Sequence, residues 1–330
     1  MLRRLTGINL QFSICNLQCS SRLYNPLMAT EGIRLGVVSA ALSPDPRQAA
    51  RMSRELGFAG LQFDAASGAV DLTELSGSGR REFRHILTTQ DQQLVGLRAD
   101  AGPKGLGLGA DVDRVIARLD RVMEAAAGLG AALVCADLGP LPTAPRVAKP
   151  TPKISAQQAG LILLPTSSAP EPEPPSQPTP PPDPAFVGQV NDALAELGRH
   201  ADRYSVVLAF RSELSSLGSL RQAVVGANCA WFGVDLDPVA VARDEWDLDE
   251  TFSQLGPLIR HVRGRDALVG SERRTKPTPI GQGNVDWGAM LANLEETDYR
   301  GWVTIDPIDL MDRFAAAGVG LSFLRKRLGL

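Results

Sequence analysis

The chain is short of the residues that most often hold metals or cross-links. It has three histidines and four cysteines among 330 residues. The cysteines (Cys15, Cys19, Cys135 and Cys229) are scattered, which argues against a disulfide framework and fits reduced thiols in a cytoplasmic protein. Cys15 and Cys19 have the spacing of half a metal site, but no second pair accompanies them. No run approaches the ~20 apolar residues that span a bilayer, so no membrane partner is expected. Positive charge is not in excess either. The net charge is −3, so the basic footprint of a nucleic-acid binder is missing. The apolar share of 44% is that of an ordinary globular protein.

The first 27 residues, MLRRLTGINLQFSICNLQCSSRLYNPL, also lack something. Asn9, Gln11 and Asn16 interrupt the apolar run that a secretory signal needs. Residues 1–32 read as an N-terminal arm, and the regular pattern begins at Ile33. Met28 is therefore the expected natural start.

From there, short apolar runs alternate with helical patterns. RLGVVSAAL (34–42), GLQFDA (60–65), QLVGLRAD (93–100) and AALVCADLG (131–139) read as four strands. VVLAFRSE (206–213), WFGVDLDP (231–238), IRHVRGRD (259–266) and WVTIDP (302–307) supply four more. Between them, Asp45 caps a helix with Pro46 in its first turn, and Gly57 stops it. Residues 112–126 place Val112, Val115, Ile116, Leu119, Val122, Met123 and Ala126 on one face, and Gly128 is the expected stop. Asp286 is the expected cap of a helix that buries Trp287, Met290, Leu291 and Leu294. Eight strands alternating with helices predict parallel βαβ units, closed as a single (β/α)8 barrel over residues 33–330.

Residues 141–185 break the pattern. They hold 14 of the 24 prolines, and proline neither donates a backbone hydrogen bond nor leaves φ free. The segment reads as a disordered insertion after the fourth strand, with GLILLP (160–165) as its one apolar patch. Setting it and the arm aside leaves a length close to the ~250 residues usual for such a barrel.

Active sites of this architecture lie at the C-terminal ends of the strands. Side chains alternate along a strand, so parity groups the polar residues found there. Arg211 and Glu213 share a face, as do Asp235 and Asp237, then His261, Arg263 and Arg265, then Thr304 and Asp306. His261 stands one layer below Arg263 and is expected to be a hydrogen-bonded core residue. Arg98, Asp100 and Asp137 are expected at the mouth or as solvated loop charges. His85 and His200 read as surface or packing residues. GQG (281–283) suggests a phosphate cradle, but it lacks a P-loop's strand-to-helix setting and lysine, so a structural loop is favoured.

The segment from Ile259 to Pro307, with its GQGNVDW…L…L…YRGW…ID pattern, resembles the end of a xylose isomerase-like barrel. That superfamily contains the sugar phosphate isomerases and epimerases. The resemblance implies a divalent metal (Mn, Mg or Zn) held by a strand-five Glu, a strand-six Asp, a His and a strand-eight Glu. Matched residue by residue, Arg211 stands at the first Glu, with Glu213 two positions on. Asp237 is kept, and Ala240 takes a following His position. Arg263 stands at the His of a His-x-x-Asp, Asp266 is kept, and Asp306 stands at the last Glu. The metal-ligand positions are thus degenerate, because guanidinium has no lone pair to give a cation.

Three readings of this cluster stand side by side. It is a structural ion-pair network in a non-catalytic barrel, or an arginine site for an anionic group, or an altered metal site using Glu213, Asp237, Asp266 and Asp306. The function implied is an isomerase or epimerase relative that binds a small sugar-like ligand, anionic in the second reading, without its usual metal chemistry. Asp306 and Glu213 are the candidate catalytic residues, and Arg211, Asp237, Arg263 and Asp266 the candidate ligand contacts. No cofactor is expected unless the metal site survives in altered form. The superfamily also includes apurinic-site endonucleases, which the scarcity of histidine and the negative charge oppose.

Overall fold

The computed structural model describes residues 32–66, 69–142, 182–211 and 216–330. Residues 1–31 of the expected arm, with Cys15, Cys19 and Met28, lie outside these, as do 143–181 of the expected insertion and Glu213.

All eight expected strands are present. They are β1 (Arg34–Val38), β2 (Gly60–Asp64), β3 (Gln93–Ala99), β4 (Leu133–Asp137), β5 (Val207–Arg211), β6 (Phe232–Leu236), β7 (Ile259–Gly264) and, after a two-stranded hairpin of β8 (Asp266–Val269) and β9 (Thr275–Thr278), β10 (Trp302–Ile305). The barrel closes in the order β1-β10-β7-β6-β5-β4-β3-β2, and its neighbours pair in parallel. The helices are α1 (Pro46–Leu56), α2 (Gly77–Thr89), α3 (Val112–Leu129), α4 (Pro184–Tyr204), α5 (Leu217–Gly226), α6 (Pro238–Arg243), α7 (Leu248–Leu255), α8 (Trp287–Glu296) and α9 (Arg313–Leu328).

Local chemistry sets the helix ends. Asp45, Asp183 and Asp286 accept from backbone amides as N-caps of α1, α4 and α8. Gly57 closes α1 at φ +91°, a conformation that favours glycine. The expected stop of α3 at Gly128 is corrected. The helix runs through Gly128 to Leu129, and Gly130 ends it at φ 78°. The second glycine wins because Ala131 must turn back to bond the Ala126 carbonyl before β4 begins.

Most of the core lies between the barrel wall and the helices, where Val37, Leu61, Leu97, Phe210, Val262 and Val303 are buried. The barrel interior holds a much smaller apolar cluster of Leu133, Cys135 and Ala209. Val95 and Trp302 fill the space over Gly36 and Gly60, and polar residues occupy the layer above. Gln62, Asp235, His261 and Thr304 are all buried. A register shift in the β6–β7 pairing between Val234 and Asp235 sets Asp235 opposite His261.

The β8–β9 hairpin was not expected from the sequence. It is tied down by Asp266, whose carboxylate accepts from the amides of Ala267, Gly281 and Val285. Gly283 lies so close that a Cβ there would meet Asp266 Oδ1 at 2.0 Å. The GQG loop is therefore a packing element around a buried carboxylate, as its structural reading required.

Candidate functional site

The C-terminal ends of the strands surround a cavity of about 610 Å³. Its wall carries five arginines (Arg98, Arg118, Arg121, Arg211, Arg263) and five aspartates (Asp64, Asp71, Asp100, Asp137, Asp235). Arg98, Asp100 and Asp137 thus do stand at the mouth. Arg118 and Arg121 come from α3 rather than from a strand end, which is why strand parity does not mark them.

The charges are paired across strands. Arg98 Nε donates to Asp64 Oδ1 at 2.7 Å and its Nη1 to Asp306 Oδ2 at 2.9 Å. Arg263 Nη2 donates to the same Asp306 oxygen. Arg211 lies 3.0 Å from Asp137 Oδ2 and 3.5 Å from Asp237 Oδ2, and Arg265 reaches that Asp237 oxygen at 3.3 Å. Asp237 Oδ1 also caps α6 through the Val239 amide. Burial works to lower the Arg98 pKa, but Asp306 and Asp64 outweigh it, and the net shift is upward.

Of the expected contacts, Arg211 and Arg263 line the cavity. Asp237 and Asp306 stand behind them as buried counter-charges. Asp266, instead, is spent on the hairpin. Glu213 lies outside the described residues. Arg98 was noted in the sequence only as a mouth residue. No local pattern reveals that it spans from β2 to β10.

One layer deeper, His261 is fully enclosed. Its Nδ1 is hydrogen-bonded to Asp235 Oδ1 at 2.6 Å, and its Nε2 to Thr304 Oγ1 at 2.7 Å. This is the hydrogen-bonded core role expected of it. Cys135 Sγ accepts from Gln62 Nε2 at 3.4 Å. Burial, then the Asp235 charge, pushes the Cys135 thiol well above its ordinary value. The other two histidines are peripheral. His85 is exposed on α2, and His200 on α4 bonds Asp120 on α3.

The divalent metal that the barrel's resemblance implies can be tested against these donors. Among the described residues, the four strand-end positions offer two guanidinium groups, which carry no lone pair. They also offer two carboxylates, each already facing two guanidinium groups. A cation there would have to displace guanidinium groups from both carboxylates and then sit beside them, so these residues do not fit one.

No protein of curated function matches the chain by sequence. Solved structures do match in shape. A xylose isomerase domain protein from Planctomyces limnophilus superposes with a TM-score of 0.64 at 16% identity, covering 91% of this chain and 100% of that one. A D-allulose 3-epimerase from Methylomonas sp. gives 0.59 at 14% identity, covering 90% and 98%. A 3-keto-D-glucoside 4-epimerase from E. coli gives 0.61 at 17% identity, covering 89% and 99%. At such identities these likenesses speak for the fold. In the described residues, no helix is long and apolar enough to cross a membrane. The sequence model of the xylose isomerase-like TIM barrel matches residues 50–327, and with the closed eight-stranded barrel seen here the chain belongs to that family.

Proposed function

We propose that the chain binds a small sugar-like ligand in the cavity at the barrel mouth, without a divalent metal at the strand ends. One observation carries the reading: the wall combines guanidinium donors with carboxylate acceptors around about 610 Å³. That volume suits a small ligand. A sugar hydroxyl both donates and accepts, so it can satisfy an aspartate and an arginine at once. Arg211 and Arg263 are the direct contacts in this reading. Asp237 and Asp306 hold them in place, and Asp266 fixes the loop beneath. An acidic sugar would be taken by Arg98 and Arg263, whose forked guanidinium groups suit a carboxylate or phosphate. The similar epimerases of known structure support a sugar as the ligand class.

A non-catalytic barrel is the second reading, and it too has its observation. Asp306, the described candidate for a general base, accepts from both Arg98 and Arg263 on one oxygen. That oxygen is already engaged by two guanidinium groups, an arrangement that suits an ion-pair anchor. Isomerisation would then fall to Glu213, or to Asp306 after ligand has drawn the arginines away.

Thermal unfolding against neutral sugars, sugar acids and sugar phosphates tests the binding claim. At least one class should raise Tm, and Arg263→Ala should remove that shift. A panel that leaves Tm unchanged would overturn it. Incubation of the binding sugar in deuterated water then separates the two readings, because an isomerase introduces deuterium at carbon and a binder does not.

A further inference from the structure

Four of the barrel's strands, alternate ones around its circumference, each send one buried polar or sulfur-bearing residue into the interior. They are Gln62 on β2, Cys135 on β4, Asp235 on β6 and Thr304 on β10. Barrels of this kind usually fill such a layer with Val, Ile or Leu. Here β7 adds His261, also buried. Ligand atoms of Cys135, Asp235 and His261 all lie within 4.8 Å of one another.

We propose that Cys135, Asp235 and His261 form a binding site for a thiophilic divalent cation of the zinc type, one layer below the arginine-filled strand ends. The site stands independently of the ligand reading above. Three features support it. A thiolate, a carboxylate and an imidazole form a mixed set that a borderline-soft ion accepts. With a thiolate and a carboxylate, a dication becomes charge-neutral among buried side chains. Ligands sharing one tetrahedral zinc stand roughly 3.3–3.8 Å apart, so the widest pair needs to close by at most about 1.5 Å and the His261 Nδ1–Asp235 Oδ1 pair, now at 2.6 Å, to open by roughly 0.7 Å.

The surroundings match as well. A metal-bound histidine donates its other ring N–H to an acceptor that fixes its orientation. Thr304 Oγ1 is in place for that at 2.7 Å from Nε2. A metal-bound thiolate keeps a hydrogen-bond donor, and Gln62 Nε2 supplies one. Cys135 and Asp235 both line the cavity, so the ion's fourth position would open upward into it. That is the arrangement of a zinc that binds water or ligand, rather than of a closed structural zinc. On binding, the Cys135 thiol gives its proton to solvent, the proton of the Nδ1–Asp235 hydrogen bond is lost from that pair as the ring takes its Nε2–H tautomer and donates to Thr304 Oγ1, and Nδ1 and Asp235 each bond the ion.

Cobalt(II) tests this, because its thiolate complexes have a near-ultraviolet charge-transfer band. The full chain carrying Cys15→Ser, Cys19→Ser and Cys229→Ser leaves Cys135 as the sole thiol. Stripped with chelator and titrated with Co²⁺, it should take one equivalent and show the band. The reciprocal chain, Cys135→Ser alone, should lack a band at that stoichiometry. Gln62→Ala and Thr304→Val should weaken binding about 10- to 100-fold while keeping the band, as loss of such supporting bonds does. A folded sole-cysteine protein without the band at excess cobalt would overturn the proposal. So would unchanged affinity in both supporting variants. If the sole-cysteine chain does not fold, the unsubstituted chain serves, and a band that persists in Cys135→Ser would equally overturn it.

Discussion

Arg98 on β3 reaches Asp306, the residue directly after β10, at 2.9 Å, although β2 and β1 stand between those strands. The contact is a chord across the mouth rather than a link between neighbours. It explains why one carboxylate can matter to both sides of the rim.

Asp306→Asn keeps the shape and removes the charge. Arg98 and Arg263 are left with a neutral partner in a largely buried setting, where losing one member of an ion pair costs about 3 kcal/mol or more. Urea unfolding should show that loss as a lower midpoint at unchanged slope. A variant as stable as the parent would show that the carboxylate contributes only in the presence of ligand.

Thr304→Val is nearly isosteric but takes away the group facing His261 Nε2. A buried ring nitrogen without a partner costs about 1–3 kcal/mol. The same unfolding measurement reads it. Thr304→Ser, which keeps the hydroxyl, should recover most of the loss.

Gly283→Ala should destabilise the hairpin end of the barrel by about 1–3 kcal/mol, because the new methyl meets the Asp266 carboxylate and the Ala267 backbone. Hydrogen exchange should rise first in the amides that Asp266 holds, those of Ala267, Gly281 and Val285. Uniform exchange across the molecule would contradict this account of the loop.

Cys229 carries a pH prediction. Burial raises its thiol above the ordinary 9.0. In the unfolded chain the thiol ionises first, so the folded state holds the proton longer. The associated stability is complete below pH 9 and declines as pH climbs through the folded value. Cys229→Ala should therefore lose less stability than the parent between neutral and strongly alkaline pH. Alkylation of Cys229 in the folded protein, followed by peptide mapping, should accelerate only at a pH above that of a free thiol.

The barrel was legible in the sequence because its strands are compact apolar runs set off by capped helices. Asp45 with Pro46, and Asp286 before Trp287, mark their helices by chemistry that acts within a few residues. Parity also worked. It grouped Asp235 with Asp237, His261 with Arg263, and Thr304 with Asp306, and the structure joins Asp235, His261 and Thr304 in one layer and Arg263 with Asp306 in the next. The failures share a cause. Gly128 and Gly130 look alike locally, and only the return bond from Ala131 chooses between them. The β8–β9 hairpin has charged residues and a proline in short strands, so its pattern was weak. Arg98 and Cys135 gained their meaning from partners far away in sequence. For Arg98 the partner is Asp306, 208 positions on. For Cys135 it is Gln62, 73 positions back. No window along the chain contains such a relation.

The chord from Arg98 to Asp306 has a consequence for biogenesis. Asp306 is the last of these charged groups to be synthesised. A nascent chain that has released β1 to β7 already carries Arg98, Arg211 and Arg263, yet lacks the acid that two of them await. Until β10 leaves the ribosome, Arg98 keeps Asp64 while Arg263 awaits Asp306, so closing the barrel and completing this charge pairing become one late event.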